Sequence, residues 1–326
     1  MRFLNPEVSS HLSLETLKKL ELIKDFFGNP KEDFLDSKPN SKLIYAGSLK
    51  FKNYLGLAAG LDKEGKYFSA LGALGFGFVE VGTFTPYQQK GNDLPRIKRI
   101  SEQKSLINRL GFNNPGISQG IKNITLNRHK YNGLLGISIG KSLSTPLNRA
   151  YEDYVFCLKA CYEYADYVAV NISSPNTAGL RDLSTEVYFE KMLTEIHTEY
   201  KKLLKSSNKK VPLFLKISPD EKQENIPRII EASQKNEFSG FIVSNTKFGS
   251  YQDMQGGISG NLLKKESLDT QKIVSSCVDK KTIIIASGGI SSKEDIEERM
   301  DNGADLVQIY TSFVYDGPPI IEKLLN

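Results

Sequence analysis

Eleven residues, Asn171-Ile-Ser-Ser-Pro-Asn-Thr-Ala-Gly-Leu-Arg181, bring two asparagines, two serines, a threonine and an arginine together directly after the apolar run Tyr167–Val170. Pro175 fixes a turn there and Gly179 frees one. Core packing has no use for such a cluster. A site that hydrogen-bonds a small polar ring and moves a proton does. Other apolar runs end the same way: in Ala58-Ala-Gly-Leu-Asp-Lys63, in Gly82-Thr83, in Ser138-Ile-Gly-Lys141, in Lys216, and in Ser244-Asn-Thr246. Small residues in the first of these let a flat group approach the backbone, and amides and hydroxyls supply in-plane hydrogen bonds.

Two further run ends, Ser287-Gly-Gly-Ile290 and Tyr310-Thr-Ser312, offer glycine N–H groups of the kind that bind phosphate. Gly256-Gly-Ile-Ser-Gly260 adds a third set of backbone donors. A flat group carrying a phosphate points to FMN. Lys216 follows an apolar strand and is costly to bury unpaired, so it either stabilises negative charge on a reduced flavin or pairs with a carboxylate of the barrel. Lys63 has the same two readings, with Asp62 as its candidate partner. His11, His129 and His197 lie away from the run ends, so a Ser-His-Asp triad is not expected. Cys157 and Cys161 stand four apart on an expected helix and, with Cys277 as the third cysteine, read as small buried residues, not a metal or redox pair.

The elements that must position these groups recur in order. Apolar runs cover 54–59, 76–83, 134–140, 167–172, 212–217, 240–245, 282–287 and 305–310, each the length of one buried strand. Helical patterns over 66–74, 151–164, 188–205, 225–236 and 292–302 separate several of them. Eight such alternations predict an α/β fold, a (β/α)8 TIM barrel, over residues 46–326. A doubly wound open sheet is the competitor, disfavoured by the count and by the lack of an early Gly-x-Gly-x-x-Gly turn. Residues 84–133 are too long for a plain connection and read as a functional insertion. Residues 1–45 form a short N-terminal helical extension, with a helix expected over 14–27 that places Leu17, Leu20, Ile23 and Phe27 on one face.

Of 326 residues, 39% are apolar and 25% charged, which fits a soluble globular chain, and no run of apolar residues is long enough to span a membrane. Neither a signal peptide nor a metal cluster is visible. The net charge of +5 is mild and scattered, so nucleic acid is not an expected partner.

Several motifs together are similar to dihydroorotate dehydrogenase, and within it to the quinone-dependent class 2 type. They are Leu55-Gly-Leu-Ala-Ala-Gly-Leu-Asp-Lys63, Val81-Gly-Thr-Phe-Thr-Pro86, Gly91-Asn-Asp-Leu-Pro-Arg96, Ile107-Asn-Arg-Leu-Gly-Phe-Asn-Asn114, Asn171-Ile-Ser-Ser-Pro-Asn-Thr177, Gly256-Gly-Ile-Ser-Gly260 and Gly317-Pro-Pro319. The resemblance implies oxidation of dihydroorotate to orotate in pyrimidine synthesis, with hydride passing from C6 to FMN N5 and a quinone as final acceptor. It implies Ser174 as the base for the C5 proton, passing it on to a water or to Thr177. Serine where class 1 relatives carry cysteine supports class 2. By the same resemblance Lys63, Asn108, Asn171, Asn176, Asn245 and Thr246 bind the substrate, with the backbone of Arg109, Leu110, Gly111 and Phe112. FMN falls to Ala59, Gly60, Leu61, Asp62, Lys63, Thr83, Ser138, Asn171, Lys216, Ser244, Gly260, Gly289, Tyr310 and Thr311. Asn113 and Asn114 keep a turn-capping role.

The chain departs from the family pattern where Ser138, Ser244 and Thr311 replace the usual Asn, Thr and Ser. Ser138 is then expected to reach the flavin through water. Class 2 members carry two amphipathic N-terminal helices that contact the membrane; here Asn5-Pro6 is expected to break the segment before the helix, leaving a second helix truncated. The implied location is peripheral, at the cytoplasmic face of a bacterial inner membrane, with a soluble cytoplasmic enzyme as alternative. Residues 1–45 carry seven basic and seven acidic side chains, so lipid contact would rest on apolar burial. Competing functions are a dihydrouridine synthase, which calls for a catalytic cysteine and a basic RNA surface, and a phosphate-binding barrel without redox chemistry.

Overall fold

The computed structural model describes residues 5–27, 43–174, 176 and 188–326, and side chains of the first segment to residue 22. Eight parallel strands close into a barrel: β1 Leu55–Leu57, β2 Phe78–Phe84, β3 Leu134–Gly140, β4 Tyr167–Asn171, β5 Leu213–Ile217, β6 Gly240–Val243, β7 Ile283–Ser287 and β8 Leu306–Ile309. Each falls within or beside one of the predicted apolar runs. Nearly every strand residue is buried because the outer face is covered by helices and the inner face by the opposite strands. The open-sheet alternative is excluded by the pairing of β8 with β1.

Strand periodicity divides the residues. Val79, Val81, Val168, Val170, Leu215 and Ile309 belong to the layer between strands and helices. Phe78, Tyr167, Phe214 and Leu306 fill the barrel's interior at its N-terminal end. Their rings meet edge to face, Phe78 against Tyr167 at 6.2 Å and Tyr167 against Phe214 at 5.3 Å. The hairpin of Ile44–Ala46 and Leu49–Phe51 plugs this end with Phe51, 5.2 Å from Phe78. Two residues further along three of these strands the interior turns polar: Glu80, Lys216 and Gln308 are all buried. The apolar floor thus forces chemistry toward the C-terminal mouth.

The predicted helices are found as Phe68–Gly72, Ala150–Cys161, Tyr188–Ser206, Ile226–Lys235 and Lys293–Asp301. Ile117–Asn127 and Lys264–Cys277 are additional. Cys157 and Cys161 are both fully buried in Ala150–Cys161, and burial pushes the Cys161 thiol up to about 12. They are packing residues.

A four-stranded antiparallel sheet crosses the mouth. It joins Ile97–Ile100 and Ser105–Asn108, from the insertion after β2, to Met254–Gly260 and Lys247–Tyr251, from the segment after β6. Gly256 and Gly257 are therefore strand residues, opposite Gly249 and Asn108 in its register, and not the phosphate-binding turn that their spacing suggested.

The N-terminal helix runs Pro6–Phe27, eight residues earlier than expected. Pro6 starts this helix instead of breaking it, since a proline at the first position forfeits no hydrogen bond. Asn5 caps it, its side-chain oxygen accepting from the Glu7 N–H at 2.9 Å. The helix packs on the barrel through buried Leu14 and partly buried Leu17, a Glu15–Tyr67 hydrogen bond and a Glu7–Arg96 ion pair. Leu20, one turn on from Leu17, is 57% exposed, so the barrel does not cover that part of the face. The Ile23 and Phe27 side chains lie outside the described residues. Among the described residues, no helix is long and apolar enough to cross a membrane.

Candidate active site

The mouth opens into a cleft of about 1310 Å³, its entrance included.

The register of the strands assembles its floor. Asn171 at the end of β4 lies opposite Lys216 of β5 on one side and Gly140 of β3 on the other. Its amide nitrogen donates to Thr83 Oγ1 at 3.2 Å, and Thr83 Oγ1 lies 2.9 Å from Ser138 Oγ. Its amide oxygen accepts from the Ser173 N–H and hydroxyl, both at 3.1 Å, and from Asn245 Nδ2 at 3.3 Å. Asn245 Nδ2 also donates to Ser173 Oγ at 3.0 Å, and Asn245 Oδ1 accepts from the Thr246 N–H at 2.8 Å. Every one of these amides is thereby oriented before any ligand arrives.

A second group hangs from the sheet over the mouth. Asn108 Nδ2 donates to the Gly257 carbonyl at 3.1 Å, and Asn108 Oδ1 accepts from Asn176 Nδ2 at 3.0 Å. Among the described residues, the Asn176 Oδ1 atom is buried without a hydrogen-bond partner, as is Asn113 Oδ1. An unpaired buried amide oxygen is costly, so both await a donor. Ser174, 6% exposed, turns its Oγ into the same space and accepts from the Asn176 N–H at 3.3 Å. Thr177, Pro175 and Gly179, the predicted proton acceptor and loop turn, lie outside the described residues.

Lys216 reaches the cleft from below, with its ammonium 3.5 Å from Glu80 Oε1. Glu80 Oε2 accepts from the Tyr167 hydroxyl and from Gln308 Nε2, each at 3.0 Å. The two readings of Lys216 are thus compatible: it faces the cleft and pairs with a barrel carboxylate. Burial raises the Tyr167 phenol well above its usual range, as does Glu80, so it stays a donor. Lys63 lines the cleft without an ion-pair partner among the described residues, and its enclosure pushes the ammonium down to about 8. Asp62 is not its partner. That carboxylate accepts from the Tyr67 N–H at 2.8 Å and the Lys66 N–H at 3.1 Å, closing the loop after β1.

Of the predicted residues, Ala59, Gly60, Lys63, Thr83, Lys216, Ser244, Gly260, Gly289, Tyr310 and Thr311 line the cleft, as do Asn108, Leu110, Gly111, Phe112, Asn171, Ser174, Asn176, Asn245 and Thr246. Leu61, Asp62, Arg109 and Ser138 do not. Leu61 packs on the core. Arg109 Nε donates to the Pro95 carbonyl at 3.1 Å, outside the cleft. Ser138 is fully buried, with its hydroxyl 2.9 Å from that of Thr83, which lines the cleft. Asn114 is a cap, accepting from the Gly116 N–H at 2.8 Å, but Asn113 lines the cleft and is misread as one. Glu80, Tyr167 and Gln308 were missed. A signal existed: Glu80 and Gln308 are polar residues inside apolar strands, in phase with inward-facing Phe78 and Leu306.

The family model for dihydroorotate dehydrogenase matches residues 45–326. This chain belongs to the dihydroorotate dehydrogenase family. Among its relatives, the dihydroorotate dehydrogenase (quinone) of Aliivibrio fischeri is 38% identical over 99% of this chain and 96% of its own length. That of Serratia proteamaculans is 39% identical with the same coverage. The crystal structure of the Eimeria tenella DHODH in complex with ferulenol superposes with a TM-score of 0.88 at 30% identity, covering 99% of this chain and 90% of that one. The dihydroorotate dehydrogenase barrel and its polar mouth are therefore the frame in which these side chains act.

FMN fits the residues present. The wall of Ala58, Ala59, Gly60 and Gly82 leaves backbone accessible to a flat ring. Lys216 supplies a cation beneath it. At the far end Gly289 has φ +72°, and a Cβ there would come within 2.4 Å of the Lys264 backbone, so only glycine leaves this cradle open.

Proposed function

We propose that this enzyme oxidises (S)-dihydroorotate to orotate in pyrimidine synthesis, with FMN as cofactor and a quinone as electron acceptor. The observation that carries the reading is the hydrogen-bonded set of Asn108 with Asn176 and Asn171 with Asn245, which lines one cleft with Ser174 and Lys216. Each amide offers both donors and an acceptor, which is what a ring of alternating N–H and C=O groups needs. Lys63 draws in the carboxylate, and Asn176 Oδ1 receives a ring N–H.

FMN held in this cleft would supply the acceptor for the C6 hydride. Ser174 Oγ takes the C5 proton while its own hydroxyl proton passes to a water or to Thr177. A hydroxyl is a weak base, and the Asn176 N–H directed at this oxygen favours its anionic form. The Asn171, Asn245 and Ser173 network holds the ring so that this proton faces Ser174. Thr83, Ser244, Tyr310 and Thr311 surround the cofactor; burial pushes the Tyr310 phenol up to about 12, which keeps it a neutral donor.

The quinone approaches along the N-terminal helix, in a unit we set at residues 1–45 beside the 46–326 barrel. Val8, Leu12, Leu20 and Leu22 are exposed on that helix and offer apolar contact to a bilayer surface. The location proposed is peripheral, at the cytoplasmic face of a bacterial inner membrane, and these exposed apolar side chains support it. The acceptor is tested by supplying dihydroorotate with a ubiquinone analogue, fumarate or NAD. Rapid orotate formation with the quinone alone is expected. Turnover with fumarate or NAD but none with quinone would reject the assignment.

Lys63 gives this binding a pH dependence. Its ammonium, depressed to about 8 from 10.5, loses its proton in the folded protein as pH rises through about 8, earlier than it would in water. Affinity for orotate is expected to be full below that value and to fall by up to about tenfold per pH unit above it. Lys63→Met should bind orotate weakly with no such slope. Equal slopes in both proteins, measured by flavin spectral titration, would remove Lys63 from the carboxylate site.

A further inference from the structure

Behind the Gly288–Gly289 turn lies a guanidinium that the reaction does not use. Arg299, on the helix Lys293–Asp301, is 1% exposed. Its Nη2 donates to the Gly288 carbonyl at 2.7 Å, to Ser267 Oγ at 2.6 Å and to the Lys264 carbonyl at 3.1 Å. Its Nη1 donates to Gln271 Oε1 at 3.2 Å. Ser267 Oγ adds a second hydrogen bond to the Gly288 carbonyl, at 2.9 Å. All these acceptors are neutral. The carboxylates of Glu298, Asp295 and Asp269 act on Arg299 only through space, and Asp295 is itself bound by Lys264 and by the Ser291 and Ser292 N–H groups.

The Gly288–Gly289 peptide is trans. In a trans peptide the C=O and N–H point in opposite directions. Two donors hold the Gly288 carbonyl from outside the cleft, so the Gly289 N–H is turned inward, where both glycines line the wall. Among the described residues that N–H has no backbone acceptor. With φ values of +110° and +72°, the two glycines have conformational freedom that must be restrained if the donor is to stay aimed.

We infer that Arg299 is a positioning residue for the phosphate end of the cofactor: with Ser267 it locks the Gly288–Gly289 peptide so that the Gly289 N–H faces a phosphate. The inference rests on the FMN reading of the cleft. It requires that Arg299 favour FMN over riboflavin, which lacks only the phosphate. A purely structural role would weaken both flavins together.

Full-length wild type, Arg299→Gln, Arg299→Lys and Ser267→Ala are titrated with FMN and with riboflavin, following flavin fluorescence. Wild type is expected to prefer FMN. Arg299→Gln should lose about ten- to a hundredfold in FMN affinity, the scale of a charge-assisted hydrogen bond, and keep its riboflavin affinity. Arg299→Lys and Ser267→Ala should fall between. If Arg299→Gln does not fold, as judged by circular dichroism, Ser267→Ala decides. An unchanged FMN-to-riboflavin ratio in the folded variants, or equal loss for both flavins, would overturn the role of Arg299. Wild type without preference for FMN would instead remove the phosphate site itself.

Discussion

Replacing Ser174 with alanine is expected to slow dihydroorotate-driven bleaching of the flavin by about 10²- to 10⁴-fold, the range of a lost general base. FMN should remain bound, because among the described residues the hydrogen bond of Ser174 Oγ is to the Asn176 N–H and not to the groups that cradle the cofactor. Orotate affinity should change little, since the four asparagines keep their mutual hydrogen bonds. The cut therefore falls on the rate constant and not on binding. Cysteine at this position should restore part of the rate and shift its pH optimum downward, a thiol being the stronger acid. Rapid-mixing absorbance under anaerobic conditions reads all three quantities. Wild-type bleaching rates in Ser174→Ala would show that another group takes the proton.

The second large effect concerns the pair beneath the cleft. Lys216→Met leaves the Glu80 carboxylate buried in the barrel with only the neutral Tyr167 and Gln308 as partners. Removing one member of a buried pair typically costs about 3–5 kcal/mol. The protein should thus unfold at markedly lower urea, with or without added FMN. Glu80→Gln together with Lys216→Met removes both charges and should recover most of that stability while leaving the flavin harder to reduce, because the cation that favours its reduced form is gone. Urea midpoints for the single and double variants, with a flavin potential for each, separate the two roles. A double variant destabilised by the sum of the Lys216→Met and Glu80→Gln losses would show that the pair is not coupled.

Much of the barrel could be read from the chain, because buried parallel strands leave continuous apolar runs and their polar ends stand out against them. Asn171, Ser174, Asn245 and Lys216 were legible for that reason. The sheet over the mouth was not. Its strands are short and half polar, and Asn108 meets Gly257 across a long sequence separation that no local pattern records. Glycines at 256 and 257 read as a turn because a strand that passes close to another backbone also needs glycine. Pro6 was misread since proline breaks a helix interior but opens a first turn. Arg299 belongs to a helix made mostly of charged residues, and only the fold shows that it grips Gly288.

The resemblance and the family relationship agree on the reaction, while the orientation of the amides around Ser174 gives it a physical basis in this chain. The most direct test is to mix the flavin-loaded protein with dihydroorotate in the absence of oxygen and any acceptor. The flavin band should bleach and one orotate should form per flavin. A flavin that stays oxidised in the presence of saturating dihydroorotate would contradict the account.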